Sequence, residues 1–174
     1  MHVSDLDPAR PGLEKFGVFE DQRQNGMIGS ALLDARTGQM LWSTPAEKDT
    51  GRGVAADIDP RHWGAEFWNS SSAELFDVAG KPIGPRPRQT NFAIWWDGDL
   101  LRELLDKTTI SKWDWENGRE IPLLSPEGLS SNNGTKATPA LQADLIGDWR
   151  EEVVWRSADN REVRIYTTPY PTTH

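Results

Sequence analysis

Short apolar runs alternate with turn-forming residues along the whole chain, at spacings that suit strands better than amphipathic helices. Strand–turn–strand patterns cover 31–42, 74–83 and 109–124, and each of these turns contains a glycine. Two further short strands are predicted at 100–105 and 164–166. Many short strands separated by regular turns predict an all-β fold.

One motif recurs within this pattern: two aspartates in a turn, followed by a glutamate at the start of a strand-like run. The first two copies match closely and the third is looser; the copies are Asp5, Asp7 and Glu14, then Asp57, Asp59 and Glu66, then Asp144, Asp148 and Glu152. A repeating unit of several strands favours propeller blades over a sandwich. We therefore predict a partial β-propeller as a single domain over 1–174, with an open sandwich as the alternative.

The number of repeats indicates roughly three to four blades, which is too few to close a propeller ring. The sequence therefore predicts a fragment of a longer domain.

The repeated acidic motif also predicts bound calcium. Ca²⁺ prefers about six to eight oxygen ligands, which carboxylates and turn carbonyls can supply together. The spacing is too short for an EF-hand, and strands flank the motif instead of helices. A single copy is explained equally well by aspartate capping a turn. Recurrence at matching positions favours Ca²⁺ as a cofactor held in the loops.

Composition removes several other classes of function. The chain has 19 basic and 27 acidic residues, and its net charge of −8 makes nucleic acid an unsuitable partner. It contains no cysteine, which excludes disulfides and thiolate metal sites. Its apolar runs are too short to cross a membrane, so no membrane partner is expected. The first residues show no basic and apolar pattern of a signal peptide.

Three polar or aromatic segments are candidates for chemistry. Asn133, Gly134 and Thr135 precede Lys136, and such a cluster can bond sugar hydroxyls while the lysine faces an anion; a plain Asn-Gly loop is the alternative. Arg52 lies between two glycines and can grip a carboxylate, or it is an exposed turn arginine. The aromatic and acidic segment 95–99 is assigned to core packing.

Several strings together resemble the rhamnogalacturonan lyases of polysaccharide lyase family eleven. They are DTGR at 49–52, AADIDP at 55–60, NFAIWWDGDLLRELL at 91–105, NNGTKATP at 132–139 and QADLIGDWREEVVWR at 142–156. The resemblance runs over nearly the whole chain. It implies an eight-bladed, calcium-rich propeller of which this chain is the C-terminal part, in an extracellular or periplasmic enzyme.

The resemblance also implies an activity and a set of roles. The activity is cleavage of the rhamnose–galacturonate bond of rhamnogalacturonan I, an acidic pectic polysaccharide, by calcium-assisted β-elimination. By matched strings, Lys136 is the candidate base, and Arg52 neutralises the substrate carboxylate or is the alternative base. Asn133, Gly134 and Thr135 position the sugar, and the missing blades are the expected partner.

Two other hypotheses remain open at this point. The chain could be a calcium-stabilised propeller that only binds carbohydrate or protein, or a truncated product with no function. The lyase hypothesis predicts that Arg52 and Lys136 converge on one site.

Overall fold

The computed structural model describes residues 1–20, 23 and 26–173, and its regular structure there consists of sixteen short β-strands. The strands are β1 (His2–Ser4), β2 (Glu14–Val18), β3 (Ile28–Asp34), β4 (Met40–Pro45), β5 (Gly53–Ala56), β6 (Glu66–Asn69), β7 (Glu74–Phe76), β8 (Pro82–Pro85), β9 (Phe92–Ile94), β10 (Glu103–Asp106), β11 (Thr109–Asp114), β12 (Arg119–Leu124), β13 (Leu129–Ser130), β14 (Leu141–Ala143), β15 (Glu152–Ser157) and β16 (Val163–Tyr166).

These strands form four antiparallel sheets. Sheet 1 has the order β1-β2-β3-β4, sheet 2 the order β5-β6-β7-β8, and sheet 3 the order β9-β10-β11-β12. In sheet 4, β13 and β14 pair with β15 along one edge, and β16 pairs with the other edge. Hairpin-connected antiparallel strands of this kind are what short apolar runs with glycine turns favour. The all-β prediction is confirmed.

The four sheets share one internal plan. In each, a loop leads from a first strand to a second strand that begins with a buried glutamate. That glutamate always pairs with the last residue of the preceding strand: Ser4 with Glu14, Ala56 with Glu66, Ile94 with Glu103, and Ala143 with Glu152. The register is thus conserved between sheets although the surrounding residues differ.

The chain divides into two compact units. The first comprises Met1–Thr90 with Trp115–Gly118, and the second comprises Asn91–Asp114 with the segment from Arg119 onward. Sheets 1 and 2 belong to the first unit, and sheets 3 and 4 to the second. The single domain predicted over 1–174 stays a prediction.

The core of the first unit is aromatic. The ring centroids of Phe16 and Phe67 lie 5.2 Å apart, and Trp42 meets Phe67 edge-on at 5.2 Å. The Trp42 indole N–H donates to the carbonyl of Val78 at 2.9 Å, so its polar atom is satisfied where the ring packs. Packed rings of this kind join sheets 1 and 2 of the first unit.

The core of the second unit is built around Trp96 and Trp155, which are both buried with Ile94, Leu105 and Val153. The Trp155 indole N–H donates to the carbonyl of Lys107 at 3.0 Å. Core packing is thus confirmed for Trp96.

The prediction of a strand over 100–105 was partly wrong. The strand covers Glu103–Asp106, and 100–102 belongs to the preceding loop. Leu100 is exposed because no sheet partner covers this part of the loop. Among the described residues, no helix is long and apolar enough to cross a membrane.

Candidate functional site

The loops that join the first two strands of each sheet are built alike, and we call them anchored loops 1 to 4 (5–14, 57–66, 95–103 and 144–152). In each, one oxygen of the strand-initial glutamate accepts two consecutive main-chain N–H groups. The bonds are Leu6 and Asp7 to Glu14 Oε2 (3.0 and 3.0 Å), Ile58 and Asp59 to Glu66 Oε2 (2.8 and 2.9 Å), Trp96 and Asp97 to Glu103 Oε2 (2.9 and 3.1 Å), and Leu145 and Ile146 to Glu152 Oε2 (2.8 and 3.2 Å).

An aspartate then closes the turn inside each loop. In loops 1 to 3 the N–H two residues after Asp7, Asp59 or Asp97 donates to that aspartate's Oδ1 at 3.0–3.1 Å. In loop 4, Asp148 Oδ1 accepts the N–H of Arg150 in the same way at 3.2 Å, and Asp144 in addition accepts the N–H groups of Gly147, Asp148 and Trp149. A tight turn leaves some main-chain N–H groups without a partner on a neighbouring strand, and these carboxylates accept hydrogen bonds from them.

The second oxygen of the anchoring glutamate distinguishes the loops. Glu66 Oε1 and Glu152 Oε1 are buried and have no hydrogen-bond partner in the structure. Burial raises the pKa of Glu66 to about 8, and the nearby charge of Asp57 adds to the rise. A buried carboxylate oxygen without a partner is costly, and a cation is the usual way to offset that cost. Glu66 and Glu152 therefore fit as cation ligands.

Other residues predicted to bind metal are engaged differently. Asp59 is bound by the guanidinium of Arg61, whose Nε lies 2.8 Å from Oδ1, and Asp148 forms an ion pair with Arg150. Asp5 and Asp144 are exposed. The structure thus brings together parts of each predicted ligand set, and these assignments stay predictions.

Anchored loop 3 was missed at the sequence level. There Asp97, Asp99 and Glu103 place one carboxylate oxygen each within 4.8 Å of one another. The paired-aspartate motif is absent there, because Trp95 stands where loops 1, 2 and 4 begin with aspartate. The spacing from Asp97 to Glu103, read without the leading aspartate, was the available signal.

Arg52 is held by the main chain on both sides. Its carbonyl accepts the N–H of Ser70 at 2.9 Å, and the N–H of Thr50 bonds to the carbonyl of Phe19 at 3.1 Å. A Cβ at Gly53 would lie 2.5 Å from the Val18 side chain and 2.9 Å from the Trp68 carbonyl. Glycine is therefore required beside Arg52 because another strand approaches too closely for any side chain.

A buried polar network supports the segment before Arg52. The Asn69 amide donates to the hydroxyls of Ser30 and Thr44 at 3.0 and 3.2 Å, and these hydroxyls are 2.7 Å apart. Thr50 and Ser71 pair through their hydroxyls at 2.7 Å. A cavity of about 680 Å³ lies beside them, lined by Met27, Pro45, Ala46, Glu47, Lys48, Asp49, Ser70 and Ser71.

The segment 132–139 is a closed loop that exposes its tip. The N–H of Asn132 donates to the carbonyl of Thr138 at 2.8 Å, and its side-chain amide donates to the carbonyl of Pro139 at 3.1 Å. Ala137 is buried, which fixes the base, whereas 133–136, including Lys136, are exposed. The loop thus presents polar groups to solvent from a bonded frame.

A second cavity of about 440 Å³ adjoins this loop. It is lined by Lys107, Thr108, Leu129, Ser130, Ser131, Asn132, Asn133, Gly134 and Arg156. Arg156 donates to Asn160 Oδ1 at 2.6 Å and to the carbonyl of Ser131 at 3.3 Å, so its guanidinium is fixed beside the loop. The wall of this cavity combines two cationic side chains with amide and hydroxyl groups, a combination that suits an acidic carbohydrate.

Arg52 belongs to the first unit and Lys136 to the second. Their predicted convergence on one site stays a prediction.

Four antiparallel sheets with anchored loops define an all-β class of protein, and comparison with known proteins gives the family. The model of rhamnogalacturonan lyase family 11, C-terminal domain, matches residues 1–174. The chain belongs to this family, which confirms the resemblance seen in the sequence.

The relatives are named lyases. The chain is 57% identical over 175 residues to rhamnogalacturonan endolyase YesW of Bacillus subtilis, covering 100% of the chain and 28% of YesW. It is 49% identical over 190 residues to rhamnogalacturonan exolyase YesX of the same organism, covering 100% of the chain and 31% of YesX. This chain thus spans less than a third of the length of these relatives.

The fold is similar to solved structures. The Bacillus licheniformis rhamnogalacturonan lyase PL11 superposes with a TM-score of 0.94 at 56% identity, over 99% of this chain and 29% of that one. The crystal structure of YesX superposes with a TM-score of 0.92 at 49% identity, over 99% of this chain and 31% of that one.

Proposed function

We propose that this chain is the C-terminal part of a rhamnogalacturonan lyase that acts outside the cytoplasm on the acidic backbone of rhamnogalacturonan I. The observation that carries the proposal is the family match over residues 1–174, together with 57% identity to a named endolyase. A polymeric substrate is too large to enter a cell intact, which supports an extracellular or periplasmic site of action.

The four sheets are proposed to be blades of an incomplete β-propeller. Their support is the repeated plan, in which the same glutamate register and the same anchored loop recur in each sheet. Propellers are built by such repetition of four-stranded sheets. Sheet 4 differs from the other three sheets. Because β13 and β14 share one edge of β15, its described strands lie only three deep, with β16 at the other edge.

β-Elimination breaks the C4–O bond to rhamnose, whose oxygen leaves with a proton, and forms the C4–C5 double bond of galacturonate by removing the proton on carbon five, next to the carboxylate. That proton becomes removable once the carboxylate charge is neutralised and the developing negative charge is stabilised. Arg52 is the proposed neutralising group because guanidinium matches carboxylate geometry. Lys136 is the proposed base, since its exposed position on the presented loop allows it to reach a bound sugar.

Asn133, Gly134 and Thr135 are proposed to position the sugar. The Asn133 amide reaches Thr138 Oγ1 at 3.5 Å, a long contact that leaves its donor and acceptor capacity open to a ligand. Gly134 has no heavy atom near the position of a Cβ, so the backbone there is open to close approach.

Ca²⁺ is the proposed cofactor, and the anchored loops would hold it. Asp57 with Glu66 in loop 2, and Glu152 in loop 4, fit best because the glutamates carry buried oxygens without a partner. The remaining predicted ligands are Asp5, Asp7 and Glu14 in loop 1, Asp59 in loop 2, and Asp144 and Asp148 in loop 4. Bound Ca²⁺ supplies positive charge that stabilises loops and favours an anionic substrate.

A second candidate is calcium-stabilised binding of carbohydrate without catalysis. It is favoured by one observation: the chain covers only 28% and 31% of the lyase relatives it matches, so part of a lyase site can lie outside it. On this hypothesis the cavity beside 132–134 binds the polymer and the chemistry needs further residues.

The test is ultraviolet absorbance of unsaturated product from rhamnogalacturonan I, with Ca²⁺ or with EDTA, on the 174-residue chain together with the blades proposed to complete the propeller. The lyase proposal expects product that Lys136→Ala abolishes and Lys136→Arg does not restore, because arginine keeps the charge but is a poor base. Lys81→Ala, at an exposed hairpin lysine, is the matched control and should retain activity.

The two candidates are separated by binding. Polymer binding without product, measured by calorimetry, would support the second candidate. Neither binding nor product would contradict both.

A further inference from the structure

Anchored loop 3 contains an internal cation. The Lys112 ammonium donates to Asp99 Oδ2 at 2.8 Å and to Glu103 Oε1 at 2.9 Å, and it also bonds to Asp97 Oδ2. Glu103 is fully buried, whereas the Lys112 side chain is 24% exposed. An ammonium has three donors, and here each donor meets a different carboxylate. All three donors of the ammonium are therefore used within the cluster, and its charge partly offsets the three carboxylates.

The contrast with loops 2 and 4 lies in the same atom of the anchor. Glu66 Oε1 and Glu152 Oε1 are buried without a partner, whereas Glu103 Oε1 accepts from Lys112. The main-chain bonds to the other oxygen are alike in all four loops. The loops thus differ chiefly in what faces the second oxygen.

Strand register explains the contrast. In sheet 1, Asp34 on the third strand lies opposite Glu14. Phe67 pairs with Phe76 and Leu104 with Ser111, so one residue further along Asp77 lies opposite Glu66 in sheet 2 and Lys112 lies opposite Glu103 in sheet 3. Cross-strand neighbours on one face are close enough to interact directly. The position opposite the anchor is therefore acidic in sheets 1 and 2 and basic in sheet 3.

The electrostatics of loop 3 agree with this geometry. Burial acts to lower the pKa of Lys112, but hydrogen bonds from the ammonium to Asp97, Asp99 and Glu103 outweigh it, so the pKa is raised. Lys112 is accordingly charged at neutral pH. Its charge reduces the repulsion among the three carboxylates.

We propose that Lys112 is a built-in substitute for a divalent cation, so that anchored loop 3 is metal-independent, in contrast to loops 2 and 4, whose anchors have a buried oxygen without a partner. Removing the ammonium would convert Asp97, Asp99 and Glu103 into a new site for a hard divalent cation such as Ca²⁺. This inference rests on the proposed function only in taking Ca²⁺ as the ion, and the role of Lys112 rests on its contacts with the three carboxylates.

The central experiment counts ions on the 174-residue chain and on Lys112→Met by equilibrium dialysis against Ca²⁺. The variant is expected to bind one equivalent more than the wild type. In EDTA its Tm should fall by about 10 °C, and Ca²⁺ should recover much of that loss. Lys15→Met, at a partly exposed lysine on β2, is the matched control and should change neither quantity. An unchanged ion count together with a Tm loss that Ca²⁺ does not recover would overturn the proposal.

Two measurements keep the test decisive if Lys112→Met does not fold. Asp99→Asn, at a half-exposed carboxylate, should leave the wild-type ion count unchanged, whereas a lower count would mean that the cluster already holds metal. In the unmodified chain, acylation of Lys112 followed by peptide mass spectrometry should be equally slow with Ca²⁺ and with EDTA. Faster acylation in Ca²⁺ would show that the ion displaces the ammonium, and the proposal would then be wrong.

The outcomes also separate this inference from the calcium proposal. A wild type that binds no Ca²⁺, with one equivalent gained in Lys112→Met, would contradict calcium in the other loops and support the role of Lys112. Several equivalents in the wild type, with none gained in the variant, would do the reverse.

Discussion

Anchored loops 2 and 3 have the same main-chain hydrogen bonds but different partners for the second oxygen of the anchoring glutamate. In both, a buried glutamate accepts two consecutive N–H groups at 2.8–3.1 Å and an aspartate closes the turn. In loop 2 the second glutamate oxygen is buried without a partner, and in loop 3 it meets Lys112. The anchor gives both loops the same main-chain bonds, and we propose that the residue across the sheet decides whether the loop takes a cation.

The reason is the cost of burying charge. A carboxylate that accepts two main-chain hydrogen bonds is partly compensated, but its remaining oxygen still loses hydration. A partner on the neighbouring strand supplies that compensation within the chain. Without one, the charge is offset by a proton, as the raised pKa of Glu66 indicates, or by a cation from solution, and in the second case stability depends on the cation concentration.

The largest expected effect comes from Glu103→Gln. Glutamine keeps an oxygen for the N–H groups of Trp96 and Asp97 but turns an NH₂ group toward the Lys112 ammonium. Breaking one partner of a buried ion pair typically costs about 3–5 kcal/mol. We expect that loss in urea unfolding, equally in Ca²⁺ and in EDTA. A loss that Ca²⁺ abolishes would contradict the view that loop 3 is independent of metal.

Next in size is Glu66→Gln. In EDTA the change should be nearly neutral, because an amide replaces an oxygen that has no partner. In Ca²⁺ at about 100 times its Kd, the wild type gains about 2.7 kcal/mol that the variant should lack. Paired urea titrations with and without Ca²⁺ measure the difference. Equal destabilisation of this variant in both buffers would remove loop 2 from the calcium proposal.

These two loops also show what the sequence could predict. The turn-and-strand pattern identified the hairpins, because glycine turns and apolar runs act locally. The motif Asp57, Asp59 and Glu66 was visible for the same reason. Loop 3 lacks the first aspartate of the motif, because Trp95 stands in its place, so the motif does not reveal this loop.

The charge partner of each loop could not be predicted in this way. Lys112 is nine residues after Glu103 in sequence and is brought opposite it only by the register of β10 and β11. Likewise, Arg61 binds Asp59 and Arg150 binds Asp148, two aspartates that the motif predicted as metal ligands. The motif alone does not show which aspartates form an ion pair with a nearby arginine. Pairing across strands depends on register, which the turn and the buried face set together and which the acidic motif alone does not contain.

Asp77→Lys tests the comparison by giving loop 2 the kind of partner that Lys112 provides in loop 3. The new ammonium would face Glu66 across β6 and β7, as Lys112 faces Glu103, and the Ca²⁺ count should fall by one. The change also removes the turn acceptor for the N–H groups of Ala79 and Lys81, which costs about 1 kcal/mol. The net stability in EDTA should therefore change by about 1 kcal/mol or less.

The matched control for this transfer is Asp77→Asn, which retains a turn acceptor and adds no charge. It should keep the ion count of the wild type. A transfer variant that also keeps that count would mean that the position opposite the anchor does not decide metal binding.

The smallest expected effect on stability comes from Arg61→Gln. Arg61 binds Asp59 and stacks on Trp115 at 4.9 Å, but its side chain is 50% exposed, so the pair contributes only about 0–1 kcal/mol. Its larger effect should be on affinity, because the released Asp59 carboxylate becomes available to a cation in loop 2. We expect Ca²⁺ to bind this loop a few-fold more tightly by calorimetry. Arg164→Gln, which breaks the exposed pair with Glu162, is the control and should leave affinity unchanged. Unchanged affinity in Arg61→Gln would instead mean that Asp59 serves the turn alone, and that loop 2 differs from loop 3 only at the second oxygen of its anchor.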